Sequence, residues 1–140
     1  MKPGLIQDKA QEHHPGQILS ETGKGCIMDW KHHLDETSAN LNTFRGLRPE
    51  TGHGFTALHR AAMAEGAMTV REKELVALGI GIATRCVDCI GFHVHAAARA
   101  GASREDVADT ISVAVMMGGG PAYMYGVKAL EAFDQLVGSA

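Results

Sequence analysis

The chain has 140 residues, 45% of them hydrophobic and 21% charged, with a formal net charge of −3. That length suits one domain with its own core, and the charge gives no electrostatic case for nucleic acid or an anionic membrane as a partner. No apolar run reaches the roughly 20 residues of a membrane span, and the start, Met1-Lys2-Pro3-Gly4, lacks a signal-peptide core, so a cytoplasmic setting is expected.

Abundant Ala, Gly and Met with only 5% aromatics favours closely packed helices over a β-sandwich. Residues 1–33 differ from the rest. They carry Pro3, Pro15, scattered glycines, the pairs His13-His14 and His32-His33, and little apolar periodicity. They read as an N-terminal arm, either flexible or packed through Ile18, Leu19, Ile27, Met28 and Trp30 on the domain or on a neighbouring subunit. Adjacent histidines project in different directions, so both pairs read as solvated surface. Cys26 stands alone, without a local base or partner thiol, and reads as a bystander.

The domain proper, residues 34–140, reads as all-α with about six helices. Leu34, Ala39, Leu41, Phe44 and Leu47 outline a first helix that ends near Arg48-Pro49, because proline disfavours helix in the residue before it. A second runs from Gly54 to Glu65, with Phe55, Leu58, Ala62 and His59 on its packing side, and stops at Gly66. His59 reads as a hydrogen-bonded structural histidine. Thr69-Val70-Arg71-Glu72 is a capping-box pattern that opens a third helix through Leu75, Val76, Leu78, Ile80 and Ile82. It is apolar nearly all round and is expected to be buried. A fourth helix spans Cys86 to Arg99, with Gly101 as its stop. Ser103 caps a fifth, through Val107, Ile111, Val115 and Met116, which Gly118-Gly119-Gly120-Pro121 breaks. The last runs from Ala122 to Leu136. Met116 and Met117 read as core filler. Tyr123 and Tyr125 cannot both face one site.

Chemistry concentrates in Arg85–His95. On a helix Cys86, Cys89 and His93 fall at i, i+3 and i+7 on one stripe. Two close cysteines in a reducing compartment read as redox chemistry or metal binding. A thiol reacts as its thiolate, so activation needs positive potential or a base. Both are available here. Free amides at the helix start lie beside the sulfurs, and His93 sits one turn beyond Cys89. Cys89 is therefore the better-served nucleophile, and Cys86 is free to resolve the intermediate into a disulfide. His95 points about 160° away and reads as structural or interfacial. Asp88 opposes ionisation of both thiols and is expected to turn from them.

Glu74, the last acidic residue before the apolar run, reads either as a solvated first-turn carboxylate or as a functional one. In a single unbroken helix it would lie about 18 Å from Cys86. A reversal near Thr84-Arg85 instead makes an antiparallel hairpin, in which Glu74 and His93 differ in height by only about 3 Å. That geometry yields a relay from Glu74 to His93 to Cys89.

The pattern Glu74, Cys86-x-x-Cys89, His93 resembles the signature of alkyl hydroperoxidase D-like proteins, within the wider carboxymuconolactone decarboxylase family. The likeness covers roughly Leu47 to Phe133. It implies an all-helical fold assembled as homo-oligomers, trimers or hexamers of intertwined subunits. It also implies reduction of hydroperoxides or protein disulfides through a Cys86–Cys89 cycle. By the resemblance Cys89 is peroxidatic, Cys86 resolving, His93 the base and Glu74 part of the relay, with a dihydrolipoyl protein or similar dithiol as electron donor; no cofactor or metal is expected. Characterised members carry a histidine immediately before the second cysteine, where this chain has Asp88. Other readings of the same residues are a lactone decarboxylase relying on His93 or His59 with incidental cysteines, a zinc module using Cys86, Cys89, His93 and Glu74, and a non-catalytic helical assembly module.

Overall fold

The computed structural model describes residues 17–19 and 26–138. It opens on a short antiparallel ribbon, β1 (Gln17–Leu19) against β2 (Cys26–Met28), with Ile18 opposite Ile27. Strands of three residues carry too little alternation to be read from sequence. The expectations for His13-His14, and for the side chains of Ile18, Leu19, Cys26 and Ile27, lie outside the described residues.

Among the described residues the remainder is helical. Asp29 accepts the His32 amide at 2.9 Å and caps α1 (Trp30–Leu47). The helix thus begins four residues before Leu34, and Trp30, read from sequence as part of the arm, is fully buried in the core. Its anchor is remote in sequence. The Trp30 amide donates to Gln135 Oε1 at 3.0 Å, and Gln135 Nε2 donates to the Met28 carbonyl at 2.9 Å.

Arg48 separates α1 from α2 (Pro49–Met63). Pro49 occupies the first helical turn, where its missing amide costs nothing, so α2 starts five residues ahead of Gly54. The Thr69–Glu72 capping box opens α3 (Val70–Ala83) as expected. After a tight turn comes α4 (Val87–Arg99), and Gly101, at φ 91°, ends that segment. A second capping box, Ser103 with Asp106, opens α5 (Arg104–Val137).

Gly119, at φ 65° and ψ −153°, breaks α5 into two helices, so the described residues form five helices, or six counting the halves. In a straight helix Ile111 and Gly126 would be about 22 Å apart. Instead a Cβ placed on Gly126 would come within 2.5 Å of Ile111 Cγ2. The halves therefore fold back on one another, and Arg104 pairs with Asp134 across the fold at 2.8 Å and 3.1 Å.

Trp30, Leu78, Ile82, Ile90, Val94 and Val107 are the largest fully buried side chains, so the core lies where the start of α1 meets α3, α4 and α5. Several sequence expectations are corrected here. Phe55 and Leu58 on α2 are about two-thirds exposed, at 66% and 67%, and His59 is exposed as well. Met116 and Met117 are not core filler, since Met117 is 77% exposed. Only one strip of α3 is buried, that of Glu74, Leu78, Gly81 and Ile82, while Val76 and Ile80 face outward. Helical periodicity identifies an apolar face but not what covers it. Among the described residues nothing covers these side chains.

Candidate active site

The reversal at Thr84-Arg85 is built by hydrogen bonds rather than by glycine or proline. The Thr84 amide reaches Ile80 O at 2.8 Å, the Arg85 amide reaches Ile82 O at 3.1 Å, and the Cys86 amide reaches Gly81 O at 2.9 Å. Arg85 takes the bend with φ 62°, a left-handed conformation that non-glycine residues adopt at a cost of about 1–2 kcal/mol. Cys86 is consequently the N-cap of α4, and its Sγ accepts the Cys89 amide at 3.3 Å.

Cys86 and Cys89 are joined as a disulfide, with both residues half-buried. The pair sits in the first turn of α4, where the helix dipole favours a thiolate once the bond is reduced. Gly81 lets α3 come close at this point: a Cβ there would stand 3.2 Å from Cys89 Cβ.

The hairpin brings Glu74 and His93 together. His93 Nδ1 lies 2.7 Å from Glu74 Oε2, and the carboxylate is buried, with 5% of its residue surface exposed. An ionised carboxylate only accepts, so Nδ1 carries the proton in this contact and Nε2 is left to exchange protons. His93 and Cys89 stand at i and i+4 on α4, neighbours at about 5–6 Å between Cβ atoms. A cleft of about 520 Å³ lined by Thr69, Arg71, Glu74 and Arg99 opens onto Glu74, and neither cysteine nor His93 lines it.

Asp88 turns toward α1, where its Oδ1 accepts Thr37 Oγ1 at 2.8 Å. His33 Nε2 lies 2.9 Å from the same oxygen, close enough for charge interaction but outside hydrogen-bond geometry. His33 is therefore not the solvated surface residue that the sequence suggests; its ring also meets Trp30 edge-on. Thr37 and His33 are the site's neighbours that sequence reading missed. Their four-residue spacing was the available signal, but it becomes one helix face only if α1 starts before Leu34. His95 is exposed, and His59, on α2, is exposed too. Among the described residues no three His, Cys, Asp or Glu side chains converge as metal ligands, and no helix is long and apolar enough to cross a membrane.

Residues 49–132 match the model of the carboxymuconolactone decarboxylase family. A protein of Cupriavidus necator is 34% identical over 108 residues, covering 77% of this chain and 96% of its own length. A Paracoccus denitrificans protein, uncharacterized protein 4 in the cox locus, is 39% identical over 106 residues, with 76% and 96% covered. A crystal structure of a carboxymuconolactone decarboxylase family protein from Legionella pneumophila is 39% identical, covers 76% of this chain and 96% of its own, and superposes with a TM-score of 0.74. A Thermotoga maritima member with a suggested involvement in antioxidative response is 26% identical, covers 75% and 90%, and gives a TM-score of 0.68.

Proposed function

The chain belongs to the carboxymuconolactone decarboxylase family, and from that premise we propose that it is a thiol-dependent oxidoreductase of the alkyl hydroperoxidase D-like kind. It reduces hydroperoxides or protein disulfides through a Cys86–Cys89 cycle in a reducing, cytoplasmic setting. The observation that carries this reading is the 2.7 Å contact between buried Glu74 and His93, one turn from a cysteine pair seated at the start of α4.

With a peroxide, the Cys89 thiolate attacks one oxygen of the O–O bond. That bond breaks, His93 Nε2 returns to the leaving alkoxide the proton it took from the Cys89 thiol, and Cys89 becomes a sulfenic acid. Cys86 then attacks the Cys89 sulfur, water departs, and the disulfide forms. The peroxide has gained two electrons and the dithiol has lost two. An external dithiol, of the dihydrolipoyl class, returns them by thiol–disulfide exchange. Glu74 fixes the tautomer and orientation of His93 throughout, because its carboxylate accepts the Nδ1 proton.

Copies of the chain are proposed to assemble as a trimer or hexamer, a reading supported by the apolar faces of α2, α3 and α5 that stay exposed in the single chain. The lactone-decarboxylase reading with incidental cysteines gains nothing at His59, which lies exposed on α2.

The test is turnover with hydroperoxide or a model disulfide, followed by intact mass. Cys89→Ser should abolish turnover, and Cys86→Ser should accumulate a sulfenic or mixed-disulfide species. Normal activity in both variants would sink the reading.

A further inference from the structure

Asp88 sits between the two cysteines, at the second position of α4. A carboxylate so close to two thiols disfavours their thiolates, yet the proposed chemistry needs a thiolate at Cys89. Among the described residues the other ionisable groups adjoining the pair in sequence or through its neighbours are His93 on α4, Glu74 from α3 behind it, His33 from α1, and Arg85 in the turn. Glu74 is committed to His93, which leaves Asp88 as the carboxylate that bears on the thiols.

Its placement is set by α1. Thr37 Oγ1 donates to Asp88 Oδ1 at 2.8 Å, and His33 Nε2 stands 2.9 Å from the same oxygen. These two residues lie one helical turn apart on α1. The helix itself is seated on α4 by Trp30 and Leu34, which press on Gly91 so closely that a Cβ there would come within 2.9 Å of Leu34 and 3.0 Å of Trp30. Cys89 faces another way, with its Cβ against Gly81 of α3. Successive helix residues point about 100° apart, so a carboxylate fastened to α1 is turned from the sulfur packed on α3.

We infer that Thr37 and His33 are positioning residues that hold the Asp88 carboxylate against α1 and away from the Cys86–Cys89 sulfurs, preserving thiolate formation in a C-x-Asp-C sequence. The inference rests on the dithiol reading above, but it concerns thiol ionisation and does not require a peroxide substrate.

The experiment uses the full chain with Cys26→Ser, so that only the pair reports. The reduced protein is alkylated with iodoacetamide across pH, and the rate is followed by mass. Thr37→Val removes the hydroxyl at nearly constant volume. It should move the midpoint of the profile upward and slow alkylation at neutral pH by about three- to tenfold, since a shift of one pKa unit changes the thiolate fraction about tenfold. His33→Gln should act in the same direction, and Thr37→Ser should retain the parental profile. Asp88→Asn alone should shift the midpoint less than Thr37→Val does, and in the Asp88→Asn background Thr37→Val should have no further effect. The inference is overturned if Thr37→Val leaves the midpoint unmoved, or moves it equally with asparagine at position 88. Because no peroxide is present, these outcomes are separate from the loss or survival of peroxidase turnover.

Discussion

Glu74 Oε2 and His93 Nδ1 meet at 2.7 Å across the α3–α4 hairpin, although nineteen residues separate them in the chain. The contact converts the last carboxylate before an apolar run into a buried partner for the imidazole, and it leaves the other ring nitrogen free to exchange protons. The same contact makes each residue a structural liability for the other. A buried carboxylate without its partner loses a charge-assisted bond and keeps the desolvation penalty.

His93→Ala should therefore destabilise the protein by about 1–3 kcal/mol in urea unfolding. It should also slow peroxide-driven disulfide closure by about 10²-fold, the scale of a lost general acid or base. Glu74→Gln keeps a hydrogen-bonding group of the same shape. It should cost less stability, while still slowing closure through a misassigned His93 tautomer. Stopped-flow closure rates beside equilibrium unfolding separate the two effects.

Acid should weaken the capping boxes of α3 and α5 and the Arg104–Asp134 pair. The Thr69 amide and hydroxyl hold the Glu72 carboxyl below its ordinary value, and Ser103 does the same for Asp106. The Arg104 guanidinium lowers Asp134. In each case the unfolded state binds the proton more readily than the folded one. The stabilisation is thus complete above the ordinary carboxylate range and is lost as pH falls through the lowered values. Urea midpoints should stay level from neutral pH to about pH 5 and fall below about pH 4. Combining Glu72→Gln with Asp106→Asn should flatten that acid limb, and an unchanged limb would contradict the assignment.

Gly91 should tolerate no side chain. A Cβ would meet Trp30 and Leu34 at 3.0 Å and 2.9 Å, so Gly91→Ala should cost about 1–3 kcal/mol by overpacking. Trp30 fluorescence would report the displaced helix at the same time.

Assembly should depend on the exposed apolar faces. Val76, Ile80, Val113 and Met117 line an apolar groove of about 440 Å³ between α3 and α5. Sedimentation of the parent chain should give a trimer or hexamer, with a melting temperature that rises with concentration. Ile80→Glu should shift the distribution toward monomer. A parent chain that sediments as a monomer at all accessible concentrations would refute the oligomer.

Much of this was legible in the sequence because it is local. Thr69 and Glu72 announced one helix start, Ser103 another, and the triple glycine with Pro121 marked the fold in α5. Glu74 and His93 were matched simply by counting residues from a proposed turn. The turn itself was obscure, because Arg85 adopts a conformation in which sequence patterns lead one to expect glycine. The start of α1 was hidden for a different reason. Trp30 is held by Gln135, 105 residues away, and no periodic pattern encodes a contact of that separation. Phe55, Leu58 and Met117 illustrate a third limit, since an apolar helix face reads the same whether its cover belongs to this chain or to another.

Gln135 also bears on the order in which the molecule is made. Its side-chain amide grips both the Trp30 amide and the Met28 carbonyl, so the seat of α1 includes the closing turns of α5. During synthesis α1 emerges early and the α3–α4 hairpin follows, yet the clasp that seats the first helix is absent until residue 135 has left the ribosome. Thr37 and His33 travel with that helix. The dithiol and its Glu74–His93 partner belong to the part that can form first, with α1 already able to pack on Gly91 of α4, whereas the Gln135 clasp on its first turn is added last.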